Sequence, residues 1–347
     1  MDAPPVKYVK TSDGYNIAYC VCGEGMPLVF IPPRFSSVQL VWRFYRDWME
    51  ALASRFRLVH YDPRCEGLST PASTDDLSIE AYLRDLEAVV EINRLERFII
   101  WGFGPQAHIG VRYALANLDK ARALILHTCA ADNAAWDIPQ VSSRYQWEHL
   151  VRSIASLNSR GFSRADEERL VEDYKSCLTR EQFLAGQAAL SQSDLTQELP
   201  SLRIPTLILH QREHFMLNPD ESMRMTAMIP GADFTLLDTN NLFGDLEQGL
   251  AAVDRFTARL LADGDWASPP GVPQSLPASA TRLESLSSRQ LDVLRLIARG
   301  KTTREIAEAL VLSERTIERH IADMYAKIGA RNRAEATAYA LSRVNSP

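Results

Sequence analysis

Six short, continuous apolar runs punctuate residues 27–238 of this chain. They are PLVFI from Pro27, FRLVHYD from Phe56, RFIIWG from Arg97, RALILHT from Arg122, PTLILHQ from Pro205 and DFTLLD from Asp233. Apolar side chains at consecutive rather than alternate positions suit strands buried on both faces, as in a parallel sheet. Helix-like stretches fill most of the gaps: Phe44–Ser54, Glu80–Ile92, Gln106–Leu118, Asp220–Met228 and Leu246–Leu261. Strand and helix in alternation predict a doubly wound, mostly parallel α/β sheet with right-handed crossovers. Val6–Lys10 and Tyr15–Cys22, around Asp13-Gly14, predict a hairpin ahead of it. The interval Ala130–Leu202 is too long for one crossover and is rich in helix formers. It predicts an inserted helical lid carrying Trp136, Tyr145, Trp147 and Phe162.

The pattern stops at residues 264–282, GDWASPPGVPQSLPASATR, where four prolines and small residues mark a linker unable to bury a core. Only helical signals follow. Ser287 with Gln290, Thr302 with Glu305, and Asn332 with Glu335 have capping-box spacing; Ser313 caps a fourth helix without the acidic partner. Gly300 and Gly329 sit where the first and third helices should stop. Three parts are therefore expected: an α/β body over residues 1–263, the linker 264–282, and a small four-helix helix-turn-helix domain over 283–347.

Charge follows the same division. Residues 283–347 hold eleven Lys/Arg against eight Asp/Glu, a balance of +3, which leaves −9 on the rest of a chain whose net charge is −6. A positive segment on an acidic body suits local attraction to phosphate. No run approaches the ~18 apolar residues of a membrane span, and MDAPPVKYVK has no signal-peptide apolar core. Five cysteines, without zinc-type spacing, predict reduced thiols in a cytoplasm, with no metal and no cofactor.

Over about residues 5–263 the chain resembles the α/β-hydrolase family. Asp62-Pro-Arg-Cys-Glu-Gly67-Leu-Ser69 looks like that family's D-x-R-G-x-G-x-S turn, with Cys65 at its first glycine. Gly102-Phe103-Gly104-Pro105-Gln106 stands where the nucleophile elbow G-x-S-x-G is expected. The resemblance puts Gly104 at the nucleophile, Pro105 at an oxyanion N–H, His214 at the acid, Leu242 at the histidine and Pro32-Pro33 at the oxyanion-loop His-Gly. None of these groups does the corresponding job, which implies that acyl transfer is absent. Such a body is expected either to keep its pocket as a binding site or to serve as a scaffold. The pocket is expected from Arg34, Phe35, Trp101, Phe103, Gly104, His214, Leu242 and Phe243, with Trp136, Tyr145 and Trp147 above. A small apolar or weakly acidic ligand would fit it. Arg34 is expected either to pair with a ligand carboxylate or phenolate, or to be a solvated loop residue. His108 is expected to be a packed or partly exposed helix residue; His127 and His210, at strand ends, are left open.

Residues 283–344 are similar to the LuxR-type helix-turn-helix, through LSSRQLDVLRLIARG, REIAEAL, SERTIERHI and KIGARNRAEA. In the helix Glu314–Ile328, Ile317, Ile321, Met324 and Ile328 form one apolar stripe. Arg315, Arg319, Ala322 and Ala326 lie opposite, so Arg315, Arg319 and Ala322 are expected at the major groove. Glu318 is open between a cytosine acceptor and a surface carboxylate. Arg304, Thr316, Lys327, Arg331 and Arg333 are expected at phosphates. The resemblance implies a homodimer on an inverted-repeat DNA operator, with Arg333–Arg343 as a candidate dimer surface. The combined expectation is a ligand-responsive transcription regulator. Its alternatives are a bifunctional protein with residual hydrolase activity through Ser36 or Ser37, and a constitutive DNA-binding protein on an inert body.

Overall fold

In this computed structural model the structure describes residues 4–136, 146–160, 162–214, 216–238 and 242–262, and further on residues 293, 296–297, 301, 303–310, 313, 316–317 and 321. The chain divides into two compact units, Met1–Trp266 and Ala267–Pro347.

The first unit is built on one eight-stranded sheet in the order β1-β2-β4-β3-β5-β6-β7-β8. Its strands are β1 (Lys7–Lys10), β2 (Asn16–Cys22), β3 (Met26–Ile31), β4 (Phe56–Tyr61), β5 (Phe98–Phe103), β6 (Ala121–His127), β7 (Thr206–Gln211) and β8 (Asp233–Leu237). The expected hairpin forms: β1 pairs antiparallel with β2, and β2 antiparallel with β4. All other pairings are parallel. Every residue of β5 and β7 is buried, as their unbroken apolar runs require. Because β3 lies between β4 and β5, the loops leaving β3 and β5 open side by side at the carboxyl edge, where such sheets build their sites.

Helices cover both faces of the sheet over two apolar cores. The expected helix Phe44–Ser54 forms as α2 (Arg46–Ala53), and a helix not expected from sequence, α1 (Val38–Phe44), precedes it. The Ser37 hydroxyl accepts the Leu40 N–H at 3.1 Å and starts α1, and Tyr45 leaves the helical region at φ −124°, ψ 35°. Then come α3 (Ile79–Ile92), capped by Ser78, and α4 (Ala107–Ala116). Gly110 lets α4 lie against β5, since a Cβ there would stand 2.8 Å from Ile100.

Among the described residues the insertion after β6 carries three lid helices, α5 (Trp147–Asn158), α6 (Arg164–Cys177) and α7 (Arg180–Ser191). A full capping box between Thr179 and Gln182 begins α7. The insertion closes on itself at an Asp132–Asp194 bridge, reinforced by the Leu195 N–H donating to the Ala131 carbonyl at 2.8 Å. The sheet is completed by α8 (Pro219–Met228) and α9 (Leu246–Ala262).

In the second unit α10 spans Thr303–Leu310, with Ile306 and Ala307 buried. Ser313 accepts the Thr316 N–H at 3.1 Å, the cap expected for the following helix. Ile317, the first residue of the expected stripe, is buried, and Ile321 is half-buried. Met324, Ile328, Gly300, Gly329 and Arg333–Arg343 lie outside the described residues.

Candidate functional site

The chain turns sharply from β5 into α4 through a single 3-10 turn, Gly104–Gln106. Gly102 permits it, because a Cβ there would come within 2.6 Å of the Ala107 Cα. Gly104 takes the left-handed conformation, φ +60°, that an elbow places at its apex. A Cβ at Gly104 would meet only the Trp136 ring, at 3.6 Å, so space above the apex remains.

That space belongs to a cavity of about 70 Å³ on which the expected catalytic positions converge. Gly104 and Pro105 form its floor, His214 enters from the loop after β7, Leu242 from the segment before α9, and Pro33 from the loop after β3. Phe35, Phe103, Trp136 and Phe183 supply aromatic walls. His214 sits where an acid is expected but carries no charge. Its Nδ1 accepts the Met216 and Leu217 N–H groups at 3.3 and 3.2 Å, and burial, helped by His210, lowers its pKa to about 3. Leu242 has only hydrocarbon to offer, and Pro105 has no N–H. Ser36 and Ser37 are not among the lining residues, and the Ser37 hydroxyl is already the α1 cap.

Arg34 is not a solvated loop residue: its guanidinium is held inside the body, with Nε left without a hydrogen-bond partner among the described residues. Its Nη1 lies 2.9 Å from the Glu66 carboxylate, and the two side chains are 6% and 0% exposed. The same guanidinium donates to the Tyr82 hydroxyl at 3.1 Å and to the carbonyls of Gln182 and Phe183 at 3.3 and 3.5 Å. It thereby ties the loop after β3 to α3 and to lid helix α7. Gly186 in α7 leaves room for it, since a Cβ there would stand 2.5 Å from Nη1. Burial raises the Glu66 pKa to about 7, against the pull of Arg34 and a hydrogen bond from Gln106. The turn that supplies Glu66 is rigid. Asp62 accepts the Val38 and Leu68 N–H groups at 2.6 and 2.9 Å. Cys65 is held at φ +66°, which explains why a glycine is expected at that position.

Of the ligand residues expected from sequence, Arg34, Phe35, Phe103, Gly104, Trp136, His214 and Leu242 line the cavity. Trp101 and Phe243 do not; they sit behind it, fully buried, packed with Phe30 and Trp48. Continuous burial of β5 turns Trp101 into the core. Trp147 packs on Phe35 and Phe183, one layer out, and Phe162 on Phe44 and Tyr45. Tyr145 lies outside the described residues. Ile154, Asn158, Phe183 and Met216 complete the lining and were not legible in sequence, because no motif fixes how lid helices dock. His108 is packed, bonded to Ser193 Oγ and the Ala130 carbonyl at 2.8 Å each. His210 binds Ser222 Oγ and the Leu217 carbonyl, and His127 packs on Phe103.

Among the expected DNA contacts, Thr316 is half-buried near its helix start, its hydroxyl 2.8 Å from that of Ser313. Arg304 lies on α10, its side chain not described. Arg315, Glu318, Arg319, Ala322, Lys327, Arg331 and Arg333 lie outside the described residues.

Sheet order, elbow and inserted lid define the body as an α/β-hydrolase fold, joined to a LuxR-type helix-turn-helix module. The body matches the Ndr family over residues 39–226, more than half of the chain, and the chain belongs to that family. Residues 284–340 match the bacterial regulatory proteins of the luxR family. This module is 42% identical over 57 residues to the transcriptional regulatory protein LiaR of Bacillus subtilis, covering 16% of this chain and 27% of that protein. It is 44% identical over 57 residues to the Fimbriae Z protein of Salmonella typhimurium, covering 16% and 27%. The chain thus spans about a quarter of the length of the curated relatives it matches. The body superposes on an esterase from Rhodococcus sp. ECU1013 with a TM-score of 0.62 at 18% identity, over 74% of this chain and 99% of that one. It is also similar to the enol-lactonase from Burkholderia xenovorans LB400, TM-score 0.57 at 19% identity, over 74% and 98%. At these identities the likeness is one of fold. Among the described residues no helix is long and apolar enough to cross a membrane.

Proposed function

We propose that this protein is a cytoplasmic, homodimeric transcription regulator whose α/β-hydrolase body binds a small molecule without converting it. Occupancy would control how the LuxR-type module engages an inverted-repeat operator. One observation carries the reading. Glycine, leucine and an uncharged histidine meet at one apolar cavity, at the positions where a hydrolase of this fold keeps nucleophile, base and acid. A body that cannot consume its ligand can report the ligand's concentration. A ligand shifts DNA affinity only by as much as its own affinity differs between the DNA-competent and incompetent states.

The test combines two measurements on the full chain. Operator binding by fluorescence anisotropy should change in the presence of a cavity ligand found by screening. Chromogenic ester turnover should stay at the uncatalysed rate. Ester cleavage abolished by serine-directed inhibitors would establish the hydrolase alternative instead. A DNA affinity that no cavity ligand alters would establish the inert-scaffold alternative.

A further inference from the structure

The sensing reading leaves the ligand's chemistry open, and sequence alone admits a weakly acidic one. We propose, resting on that reading, that the cavity selects a neutral, apolar molecule of about one ring in size and rejects both anions and cations.

The argument starts from charge. Among the described residues of the lining Arg34 is the cationic one, and its charge is already cancelled by Glu66 at 2.9 Å within the same buried layer. A ligand carboxylate beside Arg34 would bring a second negative charge against Glu66 in a low-dielectric region, while losing its own hydration. A ligand cation would meet Arg34 with no acidic residue among the described residues of the lining to offset it. The other polar groups are neutral. Asn158 donates to the Tyr174 hydroxyl at 3.0 Å, and His214 is held as the neutral imidazole by two backbone N–H groups on Nδ1. What remains is hydrocarbon and aromatic surface from Phe35, Phe103, Trp136, Phe183 and Leu242.

Size is the second limit. About 70 Å³ is less than the ~150 Å³ of an engineered apolar cavity that admits benzene. A single ring therefore enters only if a wall residue yields. Met216, half-buried, unbranched and adaptable, is suited to that. Ligands of several rings would require α5 and α7 to separate from the body; the Arg34 bonds to the Gln182 and Phe183 carbonyls resist this at α7, and the Tyr45 hydroxyl, donating to the Asn158 carbonyl at 3.3 Å, resists it at α5.

The experiment uses the full-length protein and three compounds of nearly one shape: para-fluorobenzyl alcohol, para-fluorobenzoate and para-fluorobenzylamine. Fluorine NMR at pH 8.5, where Glu66 is ionised and cancels Arg34, reads binding as line broadening and chemical-shift change. The alcohol should bind, with a Kd at least tenfold tighter than either ion. Ile154→Trp and, independently, Met216→Trp should abolish that binding by filling the cavity. Glu66→Gln should invert the preference, because it exposes the Arg34 charge to the ligand. Benzoate binding as tightly as the alcohol to the wild type would overturn the charge argument while leaving the sensing reading intact. Binding unchanged in both filling variants would overturn the assignment to this cavity. If none of the three compounds binds, and a panel of smaller neutral alcohols also fails, the sensing reading itself falls.

Discussion

Replacing Arg34 by methionine keeps most of the side-chain length and removes the charge. In the wild type this guanidinium makes the 2.9 Å ion pair with Glu66 and three further polar contacts, and both partners are buried. Removing one member of a buried pair costs about 3–5 kcal/mol, because the other is left uncompensated. At about 2–4 °C per kcal/mol for a domain of roughly this size, the midpoint should fall by roughly 6–20 °C.

The loss should also depend on pH. Glu66 has a folded pKa of about 7 against an ordinary value of 4.5, so the folded state holds a proton that the unfolded state has released. A carboxyl raised in this way contributes stability below pH 4.5, which is lost as pH rises to about 7, and its contribution is flat above. Without Arg34 the folded pKa moves higher still, so the variant goes on losing stability where the wild type has nearly stopped. Between pH 7 and 8 the gap should widen by about 1 kcal/mol. Thermal unfolding followed by circular dichroism at pH 6, 7 and 8 measures both effects. Arg34→Met with Glu66→Gln should recover most of the loss, since neither charge then remains buried. A midpoint change below about 3 °C with no pH trend would show that the pair is not closed in solution, and the clamp on α7 would go with it.

Three further outcomes are expected. Gly104→Ser should create no esterase, because Leu242 offers no base and Pro105 no N–H; inhibitor-sensitive ester turnover in that variant would contradict the account of the site. Asp85→Ala should destabilise the body by about 3–5 kcal/mol in denaturant titration, since it strips the buried Arg64 of contacts between 2.8 and 3.2 Å; a loss under ~1 kcal/mol would refute this. In the module, Arg319→Ala should cost ~1–3 kcal/mol at particular base pairs, and Lys327→Ala should weaken all sequences alike and lower the salt slope by about 1. Anisotropy titrations across a salt series separate the two, and identical behaviour would overturn the division into base-reading and phosphate contacts.

The chain itself determined the sheet and the elbow. Unbroken apolar runs such as Ile99–Trp101 have no polar face to present to water, so they must become interior parallel strands. Gly102 marks the turn because only a missing Cβ lets α4 close on β5, and Gly104 because glycine takes a positive φ without strain. The helix-turn-helix was equally legible, since caps and apolar spacing are local, and Ser313 does what its position announces. Side-chain fate is not local. Nothing in the string PPRF tells that Arg34 meets Glu66, thirty-two residues away, rather than a ligand or water. Nor does it tell that Trp101 faces the core while Phe103, two residues on, reaches the cavity. Those outcomes depend on how the lid helices dock, and docking is decided by shape and by cancellation of buried charge between segments far apart in the chain.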